Sequence, residues 1–282
     1  MEQPRIHVAT VHWFSDEWAQ LQVKRLREFL PEQMTLWAFL DGVSPELAPL
    51  FDHVYSSEEM THHEKLDVLS GHILEEAAPD DLILFIDGDA FPIADLGPML
   101  QKLQEVPLVA VKREENFGDQ QPHPCFCLTT VGFWREIEGT WRPGARWLRS
   151  DGHMGTDVGG ELYGILKERD QHWEALLRSN PQDLHPLFFA VYGEAVYHHG
   201  AGFRDKLCRR DAHCGIDAYS AYWARQLDRL QGSRRTRWAR RLIRRHNGWY
   251  MRRKNIKLHK QVMARIRADE DFAANLGLVG PA

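Results

Sequence analysis

Two aspartates one residue apart, Asp87 and Asp89, directly follow the apolar run Leu82 to Ile86. A strand that is apolar at every position is typical of a sheet interior buried on both faces, so its end lies deep in the fold. Carboxylates placed together there repel each other, lose hydration and require a compensating cation. Oxygen ligands on a short turn suit Mg²⁺ or Mn²⁺, which also take phosphate oxygens as ligands. The stretch therefore predicts a metal site that binds a diphosphate, although Asp-Gly-Asp is also an ordinary turn sequence.

The segments around this stretch alternate between strand-like and helix-like patterns. Helices are predicted at 15–30 and 61–77, and strands at 5–11, 34–41, 53–57, 82–86 and 125–134. The order of the first six elements, strand-helix-strand-strand-helix-strand, predicts an α/β fold with a mostly parallel sheet covered by helices. Ligands of such sheets bind at the carboxyl ends of the strands, where the two aspartates are expected.

The composition indicates a globular chain with a substantial core. It has 282 residues, of which 43% are hydrophobic and 27% charged. No stretch approaches the ~18 consecutive apolar residues of a membrane-spanning helix, and the N-terminus does not resemble an export signal. The four cysteines are too few for a disulfide framework, which favours a cytoplasmic location. Their spacing beside His123 and His213 also leaves a zinc site open.

The net charge of −5 is unevenly distributed along the chain. The segment from Leu230 onward carries 14 Lys and Arg against 3 Asp and Glu, so its charge is +11 and that of the first 229 residues is −16. This division predicts a body at 1–229 and a basic helical extension at 230–282. The tryptophans among the basic residues would suit an anionic membrane surface, while nucleic acid and packing against the acidic body are the alternatives.

The stretch from His62 to Pro92 resembles the nucleotide-sugar core of GT-A-fold glycosyltransferases, particularly the glycogenin-like and bacterial galactosyltransferase group. In that family a helix with a basic residue precedes a strand that ends in an Asp-x-Asp motif. The resemblance implies a GT-A-like fold, with a Rossmann-type mixed sheet flanked by helices, over about residues 5–210. It also implies a nucleotide-sugar-binding catalytic domain at 1–229. It implies that Asp87 contacts ribose and metal and that Asp89 binds the metal between the phosphates. The further donor contacts it implies are Gly88, Lys65, Thr10, Val11 and His12.

A second resemblance covers AVYHHGAGFRDK, residues 195–206. The family's late segment has a histidine that completes the metal shell, three residues before a glycine, which selects His199 with Gly202 and leaves His198 as the alternate that packs. Either Arg204 or Lys206 would neutralise the leaving diphosphate.

A third, weaker match is the turn before a predicted helix in GHMGTDVGGELYGIL, residues 152–166. Asp157 matches the family aspartate near the donor sugar, and an ordinary helix N-cap is the alternative.

The function that the resemblance implies is a metal-dependent, hexose-transferring enzyme with a nucleotide-sugar donor, a UDP-sugar in first place. The acceptor would be a glycan or a lipid-linked sugar, the reaction retaining, and the location cytoplasmic or peripheral at the inner membrane face. Arg204 would act with the metal as the Lewis acid, and Asp157 would be the base of an inverting reaction. A sugar-nucleotide nucleotidyltransferase is disfavoured because VATVHWFSDEW lacks a Gly-rich basic loop. A non-catalytic nucleic-acid- or membrane-binding protein would leave the pair Asp87 and Asp89 unexplained.

Overall fold

The computed structural model describes residues 4–31, 33–149, 152–180 and 188–200, together with 238, 242, 249, 253, 256, 257, 259–264 and 268. The twelve strands within these residues are β1 (Ile6–Trp13), β2 (Met34–Asp41), β3 (His53–Tyr55), β4 (Leu82–Asp87), β5 (Ala90–Pro92), β6 (Leu108–Val111), β7 (His123–Thr130), β8 (Trp147–Leu148), β9 (Met154–Gly155), β10 (Glu174–Leu176), β11 (Ala190–Tyr192) and β12 (Val196–His198). The helices are α1 (Asp16–Phe29), α2 (His62–Glu76), α3 (Gly97–Lys102), α4 (Val131–Glu136) and α5 (Gly160–Glu168), with a 3-10 helix at Pro45–Leu50.

The main sheet has seven strands in the order β10-β6-β7-β4-β1-β2-β3. Strand β1 pairs in parallel with both β2 and β4, and β3 continues in parallel beside β2. Strand β7 runs antiparallel between β4 and β6. The predicted α/β fold with a mixed, mostly parallel sheet is therefore confirmed. The carboxyl ends of β1, β2 and β4 meet at one edge, because Trp13 pairs with Asp41 and Val11 with Asp87.

Helices cover both faces of this sheet, as the alternation of side chains along β1 requires. Ile6 and Val8 pack on the side of α1, while Ala9 and Val11 pack on the side of α2. Strand β4 lies inside the sheet with its residues 83–86 fully buried, which confirms the interpretation of the all-apolar run.

The predicted strand at 125–134 is wrong at its C-terminal end. Strand β7 ends at Thr130, and α4 begins at Val131. The reason is a helix cap: Thr130 has extended backbone angles, and its hydroxyl accepts a hydrogen bond from the backbone N–H of Phe133 at 3.1 Å.

A small second sheet, β11-β12-β5, adjoins the carboxyl end of β4. Strand β5 begins directly after Asp89, and β12 pairs with it in antiparallel register, His198 opposite Ala90. This sheet connects the late segment of the body to the Asp-Gly-Asp turn.

The described part of the C-terminal segment contacts the body. Residues 259–264 are helical, and the Val262 side chain is fully buried in a cluster that includes Trp18 and Phe91. The boundary at residue 229 stays a prediction, and this contact crosses it. Among the residues described, none of the helices combines the length and apolar character needed to cross a membrane.

Candidate functional site

Asp87, Asp89 and His198 form a group of potential metal ligands at the carboxyl edge of the parallel strands. The Nε2 atom of His198 lies 3.6 Å from Asp87 Oδ2 and 3.4 Å from Asp89 Oδ1. One ligand atom from each of the three residues lies within 4.8 Å of the other two. The pairing of β12 with β5 brings the histidine to the carboxylates, although it is distant in sequence. We call these three residues the metal group.

The donor set of the metal group fits a divalent cation. Two carboxylates supply the charge, and both are largely shielded from water, with side-chain exposures of 15% and 14%. Carboxylate oxygens suit Mg²⁺ and Mn²⁺, whereas imidazole is a ligand for transition-metal ions, so the set as a whole fits Mn²⁺ better than Mg²⁺. The two predicted aspartate ligands are thus brought together with a histidine.

Opposing effects act on the pKa of His198. Burial by itself disfavours the charged ring, but contact with Cys125 and the negative charge of Asp89 raise the pKa of His198 well above its usual value. A metal ion would bind this ring in its neutral form, because protonated imidazole does not coordinate metals.

Of the two adjacent histidines, the structure places His198 beside the two carboxylates, whereas the sequence favoured His199. The His199 ring is hydrogen-bonded on both sides at 2.9 Å, from Nδ1 to the Tyr197 hydroxyl and from Nε2 to His259 Nδ1. Neighbouring residues on a strand point to opposite sides, so only one of the two rings can face the carboxylates. That ring belongs to His198. The predicted donor contacts Gly202, Arg204 and Lys206 lie outside the described residues.

Gln22 on α1 fixes the main chain of the Asp-Gly-Asp turn. Its Nε2 donates to the carbonyl oxygens of Asp87 and Ala90 at 2.7 and 2.6 Å. Its Oε1 lies 3.1 Å from Nε2 of His12, which donates to it. Burial lowers the pKa of His12 to about 4, so the ring is neutral. A glutamine on the buried face of an amphipathic helix was the sequence signal for this role, and it was missed.

The predicted base contacts at the end of β1 are buried under α1 and α2. Thr10, Val11 and His12 are each at most 5% exposed. The exposed side chains at this end of β1 are those of Trp13 and Phe14, at 38% and 61%. Thr10, Val11 and His12 are therefore not on an open surface, and His12 supports the turn through Gln22.

Gly88 is required by the close approach of the turn to β1. A Cβ atom at this position would lie 2.4 Å from the carbonyl oxygen of Val11 and 2.9 Å from His12 Nδ1. We expect Gly88→Ala to lower the free energy of unfolding by about 1–3 kcal/mol, the usual range for an overpacked site. Urea unfolding checks this value.

Gly71 in α2 provides the matched control, because a Cβ there meets no atom within 4 Å. Gly71→Ala should raise the stability by about 0.5–1 kcal/mol through helix propensity. Equal effects of the two substitutions would contradict the steric explanation.

Lys65 is engaged in a buried ion pair with Asp41. Its ammonium group pairs with the Asp41 carboxylate at the end of β2 and lies 4.3 Å from the ring centroid of Trp13. Asp41 also accepts hydrogen bonds from the hydroxyl of Ser56 at 3.0 Å and the backbone N–H of Ser57 at 2.8 Å. The described contacts of Lys65 are therefore those of a structural residue.

His62, three residues before Lys65 on the same face of α2, is the basic residue that reaches the metal group. Its Nε2 lies 3.0 Å from Asp87 Oδ1, and its side chain is 36% exposed. The pair of histidines that opens α2 was the available sequence signal.

Arg113 fixes the orientation of Asp157. It donates to Asp157 Oδ2 at 2.8 Å and to Asp119 Oδ2 at 3.3 Å, and its own side chain is only 11% exposed. The Asp157 side chain is 47% exposed. The N-cap of α5 is Gly159, so Asp157 is not the helix cap. A half-exposed carboxylate held by a buried guanidinium group is a directed hydrogen-bond acceptor.

Asp119, the second partner of Arg113, is nearly buried. Burial raises its pKa to about 6, although the charge of Arg113 and a hydrogen bond from Asn116 act in the opposite direction. Burial, together with the charge of Arg113, also holds the pKa of His123 well below its usual value. The His123 ring centroid is 6.2 Å from that of His198, so the Arg113 pair and the metal group share one neighbourhood.

Gln121 has a buried side-chain amide that lacks hydrogen-bond partners. The residue is 1% exposed, and within the described part of the protein neither Oε1 nor Nε2 makes a hydrogen bond. Pro122, next in the chain, packs its carbonyl against Gly159 in the Asp157 turn, and His123 follows. The backbone next to Gln121 therefore contacts the turn that carries Asp157. No sequence pattern marks this residue.

No protein-family model and no curated protein matches this sequence. Similar solved structures include the mannosyltransferase PcManGT from Pyrobaculum calidifontis in complex with GDP-Man and Mn²⁺, at 11% identity and a TM-score of 0.42 over 99% of this chain and 82% of that one. The galactosyltransferase LgtC in complex with donor and acceptor sugar analogues has 12% identity and a TM-score of 0.35 over 62% and 74% of the two chains.

TarS from S. aureus has 11% identity and a TM-score of 0.37 over 49% of this chain. This chain covers 30% of the length of TarS. Two of these three proteins are sugar transferases by name, the class that the sequence resembles. The similarities are too distant to assign a function, so the geometry of the site has to carry any functional assignment.

Proposed function

We propose that this protein is a metal-dependent glycosyltransferase that transfers a hexose from a nucleotide sugar to a glycan or lipid-linked acceptor. The observation that carries the proposal is the metal group at the carboxyl edge of the parallel strands. Carboxylates and imidazole placed together in this way suit a divalent ion that also takes diphosphate oxygens. The UDP-sugar donor and the retaining outcome come from the sequence resemblance and are part of the proposal.

The roles of the residues around the diphosphate follow from their charges. Asp87, Asp89 and His198 would hold Mn²⁺ or Mg²⁺, which when bound neutralises the charge that builds on the leaving diphosphate. His62, half-exposed beside Asp87, can donate to a phosphate oxygen. By the sequence resemblance, Arg204 or Lys206 would complete this neutralisation, and a glycine at position 202 would allow a phosphate to approach the backbone closely.

The sugar side of the proposed site rests on Asp157 and Gln121. The fixed Asp157 carboxylate can accept from a hexose hydroxyl, and it is the candidate base if the reaction inverts. A retaining reaction needs no side-chain base when the acceptor attacks on the face of the leaving group. The amide of Gln121 has no hydrogen-bond partner among the described residues, so its donor and its acceptor are both available to a second hydroxyl of the sugar.

Gln121→Leu should separate stability from donor binding. The substitution removes a buried amide without partners, so we expect the free energy of unfolding to stay equal or to rise by about 1 kcal/mol. We expect the KM for the nucleotide sugar to rise at least tenfold, while the affinity for Mn²⁺ and UDP stays unchanged. Steady-state kinetics with calorimetry measure the three quantities. A destabilised Gln121→Leu with normal KM would show that Gln121 serves packing alone.

The experiment that tests the function is a thermal-shift comparison of the full chain with a panel of nucleotide sugars, with and without Mn²⁺. A ligand at 100 times its Kd stabilises the folded state by about 2.7 kcal/mol, which gives a measurable shift. We expect one nucleotide sugar to stabilise the protein only when Mn²⁺ is present. A shift with nucleoside triphosphate and sugar phosphate would instead indicate a nucleotidyltransferase. No shift with any nucleotide sugar would refute the proposal.

The proposed membrane contact rests on the basic C-terminal segment. Its described helical residues Trp238, Leu242 and Trp249 are exposed at 66%, 43% and 52%, in a segment of high positive charge. Exposed tryptophans among basic residues suit an anionic surface, where each basic residue contributes about 1 kcal/mol at low salt. We expect co-sedimentation with phosphatidylserine vesicles at low salt and release at high salt. Absence of binding at low salt would rule this contact out. The proposed location would then be the cytoplasm without membrane contact.

A further inference from the structure

An aromatic cluster supports the metal group from behind. Strand β5, which directly follows Asp89, and strand β12, which ends at His198, both contribute side chains to it. Its buried members are Trp18, Leu21, Phe91, Phe188, Phe189, Val191, Tyr197 and Val262. Val262 comes from the C-terminal segment and is 0% exposed, so that segment closes one side of the cluster.

The ring of His199 packs against aromatic members of this cluster and makes two hydrogen bonds. Its ring centroid is 4.6 Å from that of Trp18 and 5.1 Å from that of Phe189. Both ring nitrogens have partners, because the Tyr197 hydroxyl lies 2.9 Å from Nδ1 and His259 Nδ1 lies 2.9 Å from Nε2.

The main chain of His199 is tied directly to the metal group. Its backbone N–H donates to the carbonyl oxygen of Asp89 at 3.0 Å, and its carbonyl accepts from the N–H of Phe189 at 3.1 Å. The residue that precedes it is His198. A contact that holds the His199 ring in place therefore also restrains the backbone of His198 and, through the hydrogen bond, the backbone of Asp89.

We propose that His259, from the C-terminal segment, is a positioning residue for the metal group. It holds the His199 ring by a hydrogen bond, and His199 in turn sets the relative position of His198 and Asp89. The C-terminal segment is then a part of the metal centre's support and more than a membrane contact. The expected effect on metal affinity rests on the proposed function, whereas the expected effect on His198 itself does not.

The test compares three variants of the full chain. His259→Ala removes the hydrogen bond, and His259→Gln keeps an amide that can donate or accept in its place. Lys260→Ala is the matched control, since Lys260 is the next residue and is exposed. Mn²⁺ affinity is measured in the presence of UDP by electron paramagnetic resonance of the free ion. We expect a loss of about tenfold for His259→Ala, the lower end of the range for residues that support metal ligands, and near-normal affinity for the other two.

A second readout does not depend on the metal. The amide proton of His199, bonded to Asp89, should exchange faster in His259→Ala than in Lys260→Ala, and the His198 imidazole resonances should shift. Unchanged exchange and unchanged resonances would overturn the positioning role, as would equal Mn²⁺ affinity in all variants. If the unsubstituted protein binds no Mn²⁺, the proposed function fails, and the exchange and resonance data alone decide the role of His259.

Discussion

Asp89→Asn should reduce sugar transfer by about 10²–10³-fold, the loss typical of removing one group that stabilises the charge of a transition state. The amide keeps the shape of the side chain but removes one of the two carboxylate charges that a divalent ion requires. The side chain is 14% exposed, and its oxygen lies 3.4 Å from His198 Nε2. Water therefore has little access to this position and cannot readily replace the lost carboxylate. Turnover at saturating Mn²⁺, measured with the donor found by thermal shift, gives the result.

Asp80→Asn is the matched control for this substitution, because Asp80 is exposed and lies just before the opposite end of β4. It should leave turnover unchanged. His198→Ala should weaken Mn²⁺ binding in calorimetry without a large fall in melting temperature. Near-normal turnover of Asp89→Asn at saturating Mn²⁺ would contradict the metal role of this turn, whatever the behaviour of His198→Ala.

The strands and the aspartate pair could be predicted because their signals are local. Strand β2 has the predicted bounds Met34–Asp41, and β4 was recognised from an unbroken apolar run. The end of a buried strand is also the place where a parallel sheet brings its ligand residues together, so Asp87 and Asp89 were found without any long-range information.

Which of the two histidines faces the aspartates could not be chosen from sequence. Strand β12 has only three residues, and its phase depends on the pairing of His198 with Ala90 in β5. A shift of one residue would have exchanged the two rings between the carboxylates and the aromatic cluster. The spacing between histidine and glycine does not show which of the two rings faces the carboxylates, because the register of β12 against β5 determines that.

The supporting residues were missed for a related reason. Gln22, His62 and Arg113 act through partners that are distant in sequence, such as the carbonyl of Ala90 or the carboxylate of Asp157, and the amide of Gln121 has no partner among the described residues. Each is polar and partly or fully buried, and burial is a property of the whole fold. Their residue types alone are equally common on exposed surfaces.

Lys65→Met should lower the free energy of unfolding by about 3–5 kcal/mol, since it leaves the buried Asp41 carboxylate without its cation. The two side chains are only 0% and 2% exposed, so water cannot replace the ammonium group. The double variant Lys65→Met with Asp41→Asn should recover part of the loss, because an amide carries no charge and can still accept from Ser56 and Ser57. Urea unfolding of the single and double variants gives the coupling between the two residues.

The same variant decides whether Lys65 contacts the donor, as the family resemblance implies. Lys102→Met is the control, a half-exposed lysine whose partners Glu105 and Glu174 lie at the surface, and it should cause no measurable change in stability. If the ion pair is structural, Lys65→Met unfolds at lower urea while its folded form keeps normal affinity for Mn²⁺ and UDP-sugar. Normal stability with lost donor binding would instead place the Lys65 ammonium on the phosphates, and the ion pair with Asp41 would then be a resting arrangement that donor binding breaks.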